Sequence, residues 1–303
     1  MREHLAKLPT EGVNVLTEMI DVVPIEEKLR MMNNEDKLVA SFIEAEIPVI
    51  AKAVEFAVNS IRNGGRVIYV GAGTSGRIGV IDASEIPPTY GETNAFLAHM
   101  AGGKEAFTSP IEGAEDNEEG GCEAVHEMKV DERDTVIGIT ASGRTPYVIA
   151  ALKCAAEMGA RTVCVSNVKK AAASRVVDVS IEVETGPEVI VGSTRMKAGT
   201  AQKMVLNMIS TATMIEMGKV YKNLMVDVVA SNEKLVHRSI KIIELATGAG
   251  HEEAKNVYAM SGRNTKTAIL MILGGFGRKE AERKLAENNG VLSRILKRDM
   301  NVG

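Results

Sequence analysis

Residues 66–77 read RVIYVGAGTSGR, and this stretch decides the fold. Its first five residues form a short run rich in β-branched side chains, which predicts a buried strand. A glycine-rich turn follows at once, and the residues from Arg77 to Glu85 have a helical pattern. The stretch therefore predicts a strand, a tight loop and a helix in direct succession, which is the repeating unit of a parallel α/β sheet.

The same unit recurs further along the chain. Short apolar runs predict four more strands, at Phe96 to Met100, Thr135 to Thr140, Arg161 to Ser166 and Val179 to Val183. Before the first strand, a helical pattern covers Glu35 to Asn63, and Pro48 should kink or split that helix. We predict a doubly wound, mostly parallel α/β sheet, in which ligands bind beyond the carboxyl ends of the strands.

The last third of the chain has a helical pattern. A methionine stripe between Arg195 and about Val220 is typical of a core or a subunit interface, and its members are Met196, Met204, Met208, Met214 and Met217. After about Val236 the strand-like runs stop, and short helical stretches separated by glycine turns follow. We predict two domains, a sheet domain with an N-terminal helical segment at 1–235 and a small all-helical domain at 236–303.

Composition excludes several classes of protein. Aromatic residues make up 3% of the 303 residues and the net charge is −4, which counts against a nucleic-acid partner. The segment from Met1 to Pro9 has no apolar run behind it, and the chain has no apolar stretch of about 20 residues. We therefore predict a cytoplasmic protein without a membrane partner.

The three cysteines are Cys122, Cys154 and Cys164. They are odd in number and lack the close spacing of a metal site, so the sequence suggests neither a disulfide framework nor a zinc site. Small buried thiols are the simpler interpretation.

Three loops rich in glycine and hydroxyl residues lie between predicted strands and helices. Gly73, Thr74 and Ser75 follow the first strand, where a helix N-terminus favours an anion, and we prefer a monophosphate to a dinucleotide there. Ser142, Gly143 and Thr145 follow the third strand, although such a hydroxyl could simply cap the helix. In the third loop, Ser193 and Thr194 precede a predicted helix whose first turn holds Arg195 and Lys197, two cations that either approach an anion or extend into water.

Carboxylates supply the second half of a possible site. Glu85 lies in DASEIPP, where Pro87 and Pro88 should end the helix and hold this carboxylate in a rigid turn, as a general acid or base requires. An acidic run follows at Glu112, Glu115, Asp116, Glu118 and Glu119. Most of that run is expected to be a solvated helix start, and composition alone does not single out Glu115.

Five long motifs together resemble the N-acetylmuramic acid 6-phosphate etherases. They are GAGTSGRIGVIDASEIPPTYG from 71, EGAED from 112, ITASGRTPYVIAAL from 139, GSTRMKAGTAQKMVLNMIS from 192 and NLMVDVVASNEKL from 223. The resemblance extends from about residue 11 to the C-terminus. It implies a sugar isomerase (SIS) domain followed by a small helical, UBA-like domain, a homodimer, and no metal or organic cofactor.

The resemblance also implies the substrate and the site residues. The substrate would be GlcNAc 6-phosphate with a D-lactyl ether on C3, cleaved by elimination and rehydration to D-lactate and GlcNAc 6-phosphate. Glu85 and Glu115 match the catalytic glutamates of the family, and Glu85 matches the proton donor. Gly73, Thr74, Ser75, Ser142, Gly143 and Thr145 would hold the sugar phosphate. The related glucokinase regulatory protein suggests that Asn232 and Lys234 also approach the ligand.

Two alternatives use the same fold, because a fold does not determine a function. One is an aldose/ketose phosphosugar isomerase, which would share the phosphate loops but not DASE together with EGAED. The other is a non-catalytic sugar-phosphate regulator, which in the glucokinase regulatory protein has two SIS domains and a much longer chain.

Overall fold

The computed structural model describes residues 12–228 and 232–300, without the side chains of 297–300. The N-terminal segment from Met1 to Pro9, considered above for export, lies outside these residues. Contacts divide the chain into two units. The first holds the described residues up to Ser84 and Asn94–Ser210, and the second holds Glu85–Thr93 and the described residues from Thr211 onward. The predicted division at 235 stays a prediction.

A five-stranded parallel sheet forms the centre of the first unit. Its strands are β1 (Val67–Gly71), β2 (Phe96–Met100), β3 (Thr135–Thr140), β4 (Arg161–Ser166) and β5 (Val179–Glu182). Their spatial order is β2-β1-β3-β4-β5. From β1 the chain goes to β2 on one side, and it then crosses to β3, β4 and β5 on the other side of β1. The strand order therefore reverses between β1 and β3, and open α/β sheets bind ligands at such a point. The predicted fold class is confirmed, and β2, β3 and β4 have the predicted bounds.

Helices cover the sheet and precede it. They are α1 (Ile25–Asp36), α2 (Val39–Glu44), α3 (Ile47–Arg62), α4 (Gly73–Tyr90), α5 (Glu105–Thr108), α6 (Glu118–Glu127), α7 (Pro146–Glu157) and α8 (Lys197–Glu216). Pro48 stands in the first turn of α3, so the long helical pattern is split as predicted. Every residue of β1 and β3 is buried, since helices lie on both faces of the sheet.

The prediction that Pro87 and Pro88 end the helix was wrong. Both prolines lie inside α4, which continues to Tyr90. Each proline loses its N–H bond and crowds the carbonyl four residues earlier, but its fixed φ is helical and both prolines stand in the last turn, where little of the helix remains to be disrupted. The Gly91 N–H then donates to the Pro87 carbonyl at 3.0 Å and closes the last turn. Glu85 therefore stands on a helix and not in a rigid turn.

The interpretation of all three cysteines as thiols was also wrong. Cys122 of α6 and Cys154 of α7 form a disulfide, whereas Cys164 in β4 is a free, buried thiol. The two partners are 32 residues apart in sequence. Helices α6 and α7 pack side by side, so the fold brings together two residues whose spacing gives no signal.

The second unit is mainly helical. Two antiparallel strands of two residues each come first, β6 (Val220–Tyr221) and β7 (Leu224–Met225). The helices that follow are α9 (Glu233–Thr247), α10 (His251–Met260), α11 (Thr265–Gly274), α12 (Arg278–Glu287) and α13 (Leu292–Met300). Their apolar faces share one core. Lys219 pairs with Glu92 and Asp227, and Lys266 pairs with Asp227 at 2.5 Å. In the described parts of the chain, every helix is too short or too polar to span a bilayer.

Candidate active site

The loop after β1 is very short. The strand ends at Gly71 and α4 begins at Gly73, so the first N–H groups of the helix point beyond the end of the sheet. Gly76 allows this tight connection, because a Cβ there would lie 2.7 Å from the Gly71 carbonyl oxygen and 2.8 Å from the Met100 Cβ. Ser75 is buried and Thr74 is half-buried. A helix start of this kind favours a bound anion.

A cleft of about 300 Å³ opens beside this helix start. Gly73 and Arg77 line one side, and Glu112, Gly113 and Glu115 line another. The structure thus brings part of the first glycine loop together with the acidic run, which are some 40 residues apart in sequence. The cleft combines helix N–H groups, one guanidinium and two carboxylates, a set that can hold an anion and exchange protons.

Arg77 is a charged residue of this cleft that the sequence motifs did not single out. Its Nε donates to the Phe107 carbonyl at 3.0 Å, so the guanidinium holds the segment around α5 beside the helix start. A signal was available in the sequence: a cation in the first turns of a helix opposes the helix dipole, and such a placement needs a compensating group. The same signal selected Arg195 and Lys197, and Arg77, in the second turn of α4, carries it more weakly.

Glu115 is exposed and lies in a short 3₁₀ turn, Ala114–Asp116, which packs against α7. Glu118 and Glu119 stand in the first turn of α6, and Asn117 caps that helix by accepting from the Gly120 N–H at 2.9 Å. The expectation of a solvated helix start is confirmed for these two glutamates. Glu115 differs from them because it lines the cleft.

The loop after β3 is held together by its own hydroxyl groups. The side chains of Thr140 and Thr145 hydrogen-bond to each other at 2.8 Å, and Ser142 accepts from the Arg144 N–H at 3.3 Å. Thr145 precedes α7 without capping it by its side chain, so the capping alternative does not hold for this residue. Gly143 has a φ of 67°. Gly71 of β1 pairs with Ile139 of β3, so the two strands are neighbours and end at the same edge of the sheet. The loop after β3 therefore begins next to the loop after β1.

The third loop does not present a free anion site at its helix start. Glu188 is fully buried, and its carboxylate accepts from the N–H groups of Lys197 and Ala198 at 3.0 Å each. Lys197 was expected near a ligand or in water, but its buried Nζ pairs with Glu35 at 2.5 Å. Arg195 precedes the helix and is exposed. The protein itself therefore supplies the anion that the dipole of α8 favours.

The remaining predicted residues lie in the second unit. Glu85 is exposed on α4 and does not line the cleft described above. Asn232 caps α9, because its side chain accepts from the Leu235 N–H at 3.0 Å, and Lys234 is exposed in the first turn. Ala230 and Ser231, which belong to the same motif, lie outside the described residues.

A buried polar network anchors α4 beneath the β1 loop. Asp82 accepts from the Tyr69 hydroxyl at 2.8 Å, the Asn207 Nδ2 at 2.6 Å and the Ser210 hydroxyl at 3.1 Å. Burial raises the pKa of Asp82, although the three hydrogen bonds oppose that shift. Burial and the neighbouring Asp82 carboxylate also raise the pKa of Tyr69. The network ties α4 to β1 and to α8.

Two family models match this chain. The model of the glucokinase regulatory protein N-terminal SIS domain matches residues 49–156, and the SIS domain model matches residues 119–212. Among solved structures, a ligand complex of the E. coli CFT073 protein c3406 has a TM-score of 0.51 at 20% identity. That match covers 66% of this chain and 97% of the other, and at this identity it supports the fold alone.

Curated relatives match over almost the whole chain. An N-acetylmuramic acid 6-phosphate etherase from Bacillus mycoides (strain KBAB4) is 52% identical over 293 residues, which are 96% of this chain and 100% of the relative. A protein of the same name from Bacillus cereus (strain G9842) is 51% identical over the same shares.

Proposed function

The chain belongs to the family of N-acetylmuramic acid 6-phosphate etherases, and we propose that the cleft beside Gly73 is where it acts. It is a carbon–oxygen lyase of cell-wall amino-sugar catabolism. The isomerase and regulator alternatives are not favoured, because relatives that share half of its residues are etherases. One observation carries the proposal: a helix start, a guanidinium and Glu115 line the same cleft.

The proposed substrate is N-acetylmuramic acid 6-phosphate, the sugar in the names of the relatives. Its phosphate binds at the start of α4, through the N–H groups near Gly73 and the hydroxyls of Thr74 and Ser75. Ser142, Gly143 and Thr145 contribute from the adjacent strand. The position of both loops at the point where the strand order reverses supports this assignment.

The reaction follows from the chemistry of the open sugar. Ring opening exposes an aldehyde at C1, which acidifies the hydrogen on C2. Removal of that proton gives an enolate, which expels the ether oxygen from C3 as the departing lactate accepts a proton. Water then adds to the unsaturated aldehyde at C3 and restores the proton at C2. The sequence needs one group that takes a proton and one that donates it.

We assign these two roles to glutamates. Glu115 takes the C2 proton, and its place in the cleft supports this role. Glu85 donates the proton to the leaving oxygen, the role that the family resemblance implies. Gly73 and Glu85 are twelve residues apart on α4, which corresponds to about 18 Å of helix axis at 1.5 Å per residue. Because a hexose phosphate is shorter than this, we propose a homodimer in which Glu85 serves the cleft of the second copy.

The test follows D-lactate release from N-acetylmuramic acid 6-phosphate in water enriched in heavy oxygen. We expect the wild-type protein to release lactate and to label the sugar at C3, and Glu85→Gln and Glu115→Gln to lose at least about a hundredfold in kcat, as the removal of a general acid or base does. Glu118→Gln is the matched control, since this residue belongs to the same acidic run outside the cleft. Sugar binding without lactate release would contradict the enzymatic assignment.

Mixing the two inactive variants tests the dimer. Copies of Glu85→Gln and Glu115→Gln that exchange subunits would form mixed dimers with one intact site, so activity should return to a fraction of the wild-type value. If each cleft instead used its own Glu85, mixed dimers would stay inactive. Cytoplasmic location belongs to this proposal as well, because a phosphorylated sugar is an intracellular metabolite.

A further inference from the structure

Three potential metal ligands meet between α6 and α7, away from the cleft beside Gly73. They are Cys122 and His126, which are one helical turn apart on α6, and Cys154 on α7. Their donor atoms all lie within 4.8 Å of one another. The Cys154 Sγ is 3.7 Å from the His126 Nε2. Residues at i and i+4 share one face of a helix, so α6 directs both of its ligands toward α7.

The chemistry of these ligands points to a thiophilic cation. Two thiolates and one imidazole suit Zn²⁺, and carboxylate-binding ions such as Mg²⁺ are disfavoured. In a tetrahedral zinc site, with Zn–S near 2.3 Å and Zn–N near 2.1 Å, sulfur and nitrogen ligands are about 3.6 Å apart. The observed separation of Sγ and Nε2 agrees with this value. The two sulfurs, however, are bonded to each other here and cannot serve as thiolates.

The disulfide is accessible to a small reductant. Both cysteines line an open cleft of about 400 Å³, together with Arg144, Lys153 and Glu118 among others. Cys122 is half-buried, Cys154 is buried and His126 is exposed, so a small reductant reaches the bond from the Cys122 side. Cys164 does not line this cleft: its thiol is fully buried in β4, and burial raises its pKa to about 12. The two kinds of cysteine are therefore chemically distinct.

We propose that Cys122, Cys154 and His126 form a redox-gated metal site, closed as a disulfide and able to bind Zn²⁺ after reduction. A dithiol reductant gives two electrons and two protons to the S–S bond and itself becomes a cyclic disulfide. The two protein thiols then lose their protons to solvent as the metal binds. Water or a carboxylate of the same cleft completes the coordination. Either state cross-links α6 to α7, whereas the reduced, metal-free state leaves only their packing.

The experiment uses the full-length protein and Co²⁺ as a spectroscopic probe. After reduction with dithiothreitol and its anaerobic removal, we expect one equivalent of Co²⁺ to bind with a thiolate-to-cobalt charge-transfer band, and Zn²⁺ to displace it. The oxidised protein should show no such band. His126→Ala should weaken binding at least about tenfold, since even residues that merely support a ligand affect metal affinity that much.

Two controls separate this site from other thiols and imidazoles. Cys164→Ala and His237→Ala should leave the band and the stoichiometry unchanged, because Cys164 is buried elsewhere and His237 is an exposed imidazole of α9. Cys154→Ser, which removes one ligand, should abolish the band, and His126→Ala tests the site even if the Cys154→Ser protein fails to fold. Absence of the band in the reduced wild type, or full retention of affinity in His126→Ala, would overturn the proposal. Neither outcome depends on lactate release.

Discussion

The loops after β1 and β3 look alike in sequence but are constrained by different forces. Both combine glycine with hydroxyl residues and both lead into a helix at neighbouring strands. In the β1 loop, glycine is required because two stretches of backbone meet, at Gly71 and Gly76. Each loop has one glycine in the left-handed region, Gly73 with a φ of 54° and Gly143 with a φ of 67°. In the β3 loop, however, the glycine approaches the Ala171 side chain rather than backbone, and hydroxyl groups bond to each other. Two loops of similar composition are therefore constrained by different contacts.

The largest expected effect comes from Gly143→Ala. A Cβ there would lie 2.3 Å from the Ala171 Cβ on a backbone in the left-handed region. Overpacking and the left-handed penalty together predict a loss of about 3 kcal/mol in the free energy of unfolding, measured by urea denaturation. Gly186→Ala is the control, since its φ is also positive but no atom lies within 4 Å. Adding Ala171→Gly to Gly143→Ala should restore the share of the unfolding free energy that is lost to overpacking.

Gly76→Ala tests the design of the β1 loop. Its Cβ would meet the fixed Gly71 carbonyl rather than a flexible side chain, so we expect a loss of about 2 kcal/mol and a weaker binding of the sugar phosphate. Gly199→Ala is the matched change in a helix, because the nearest atom there is 3.4 Å away, an ordinary contact. Equal stabilities of the two variants would show that the backbone approach at Gly76 relaxes easily.

Thr145→Val breaks the hydroxyl pair of the β3 loop. The buried Thr140 hydroxyl would lose its partner, at a cost of about 1 to 2 kcal/mol. The double variant Thr140→Val/Thr145→Val should cost less than the sum of the two single changes, because no polar group is then left unpaired. Additive losses in a double-mutant cycle would argue against the pair. If Thr145 also holds phosphate, KM rises in both variants that lack its hydroxyl.

Asp82→Asn should have the smallest effect, below about 1 kcal/mol near neutral pH, since an amide can replace the carboxylate in the network. This variant tests a second difference between the two loops. The helix after the β1 loop, α4, is anchored by a buried carboxylate, whereas the helix after the β3 loop, α7, is anchored by apolar packing. The raised pKa of Asp82 stabilises the fold fully below the unfolded-state value near 3.8, and this contribution is lost as the pH rises through the folded-state pKa. The free energy of unfolding of wild type relative to Asp82→Asn should fall over that range.

Much of the fold could be predicted because its signals are local. Short apolar runs bounded by glycine defined β2, β3 and β4 to the residue, and helical periodicity located the helices of the second unit. The end of α4 was missed, since two prolines are a strong stop signal that the surrounding helix overrode. Lys197 was misjudged because its partner, Glu35, is 162 residues away and no local pattern reveals such a pairing.

The sequence by itself determined the alternation of strands and helices, because hydrophobic periodicity is a local property. It also determined the position of the glycine loops and the family, because these depend on continuous motifs. Only the tertiary structure decided which distant residues meet. It set Glu115 beside Gly73, gave the start of α8 an internal anion in Glu188, and joined Cys122 to Cys154. These outcomes depend on helix packing and strand order, which place residues together in space irrespective of their separation along the chain.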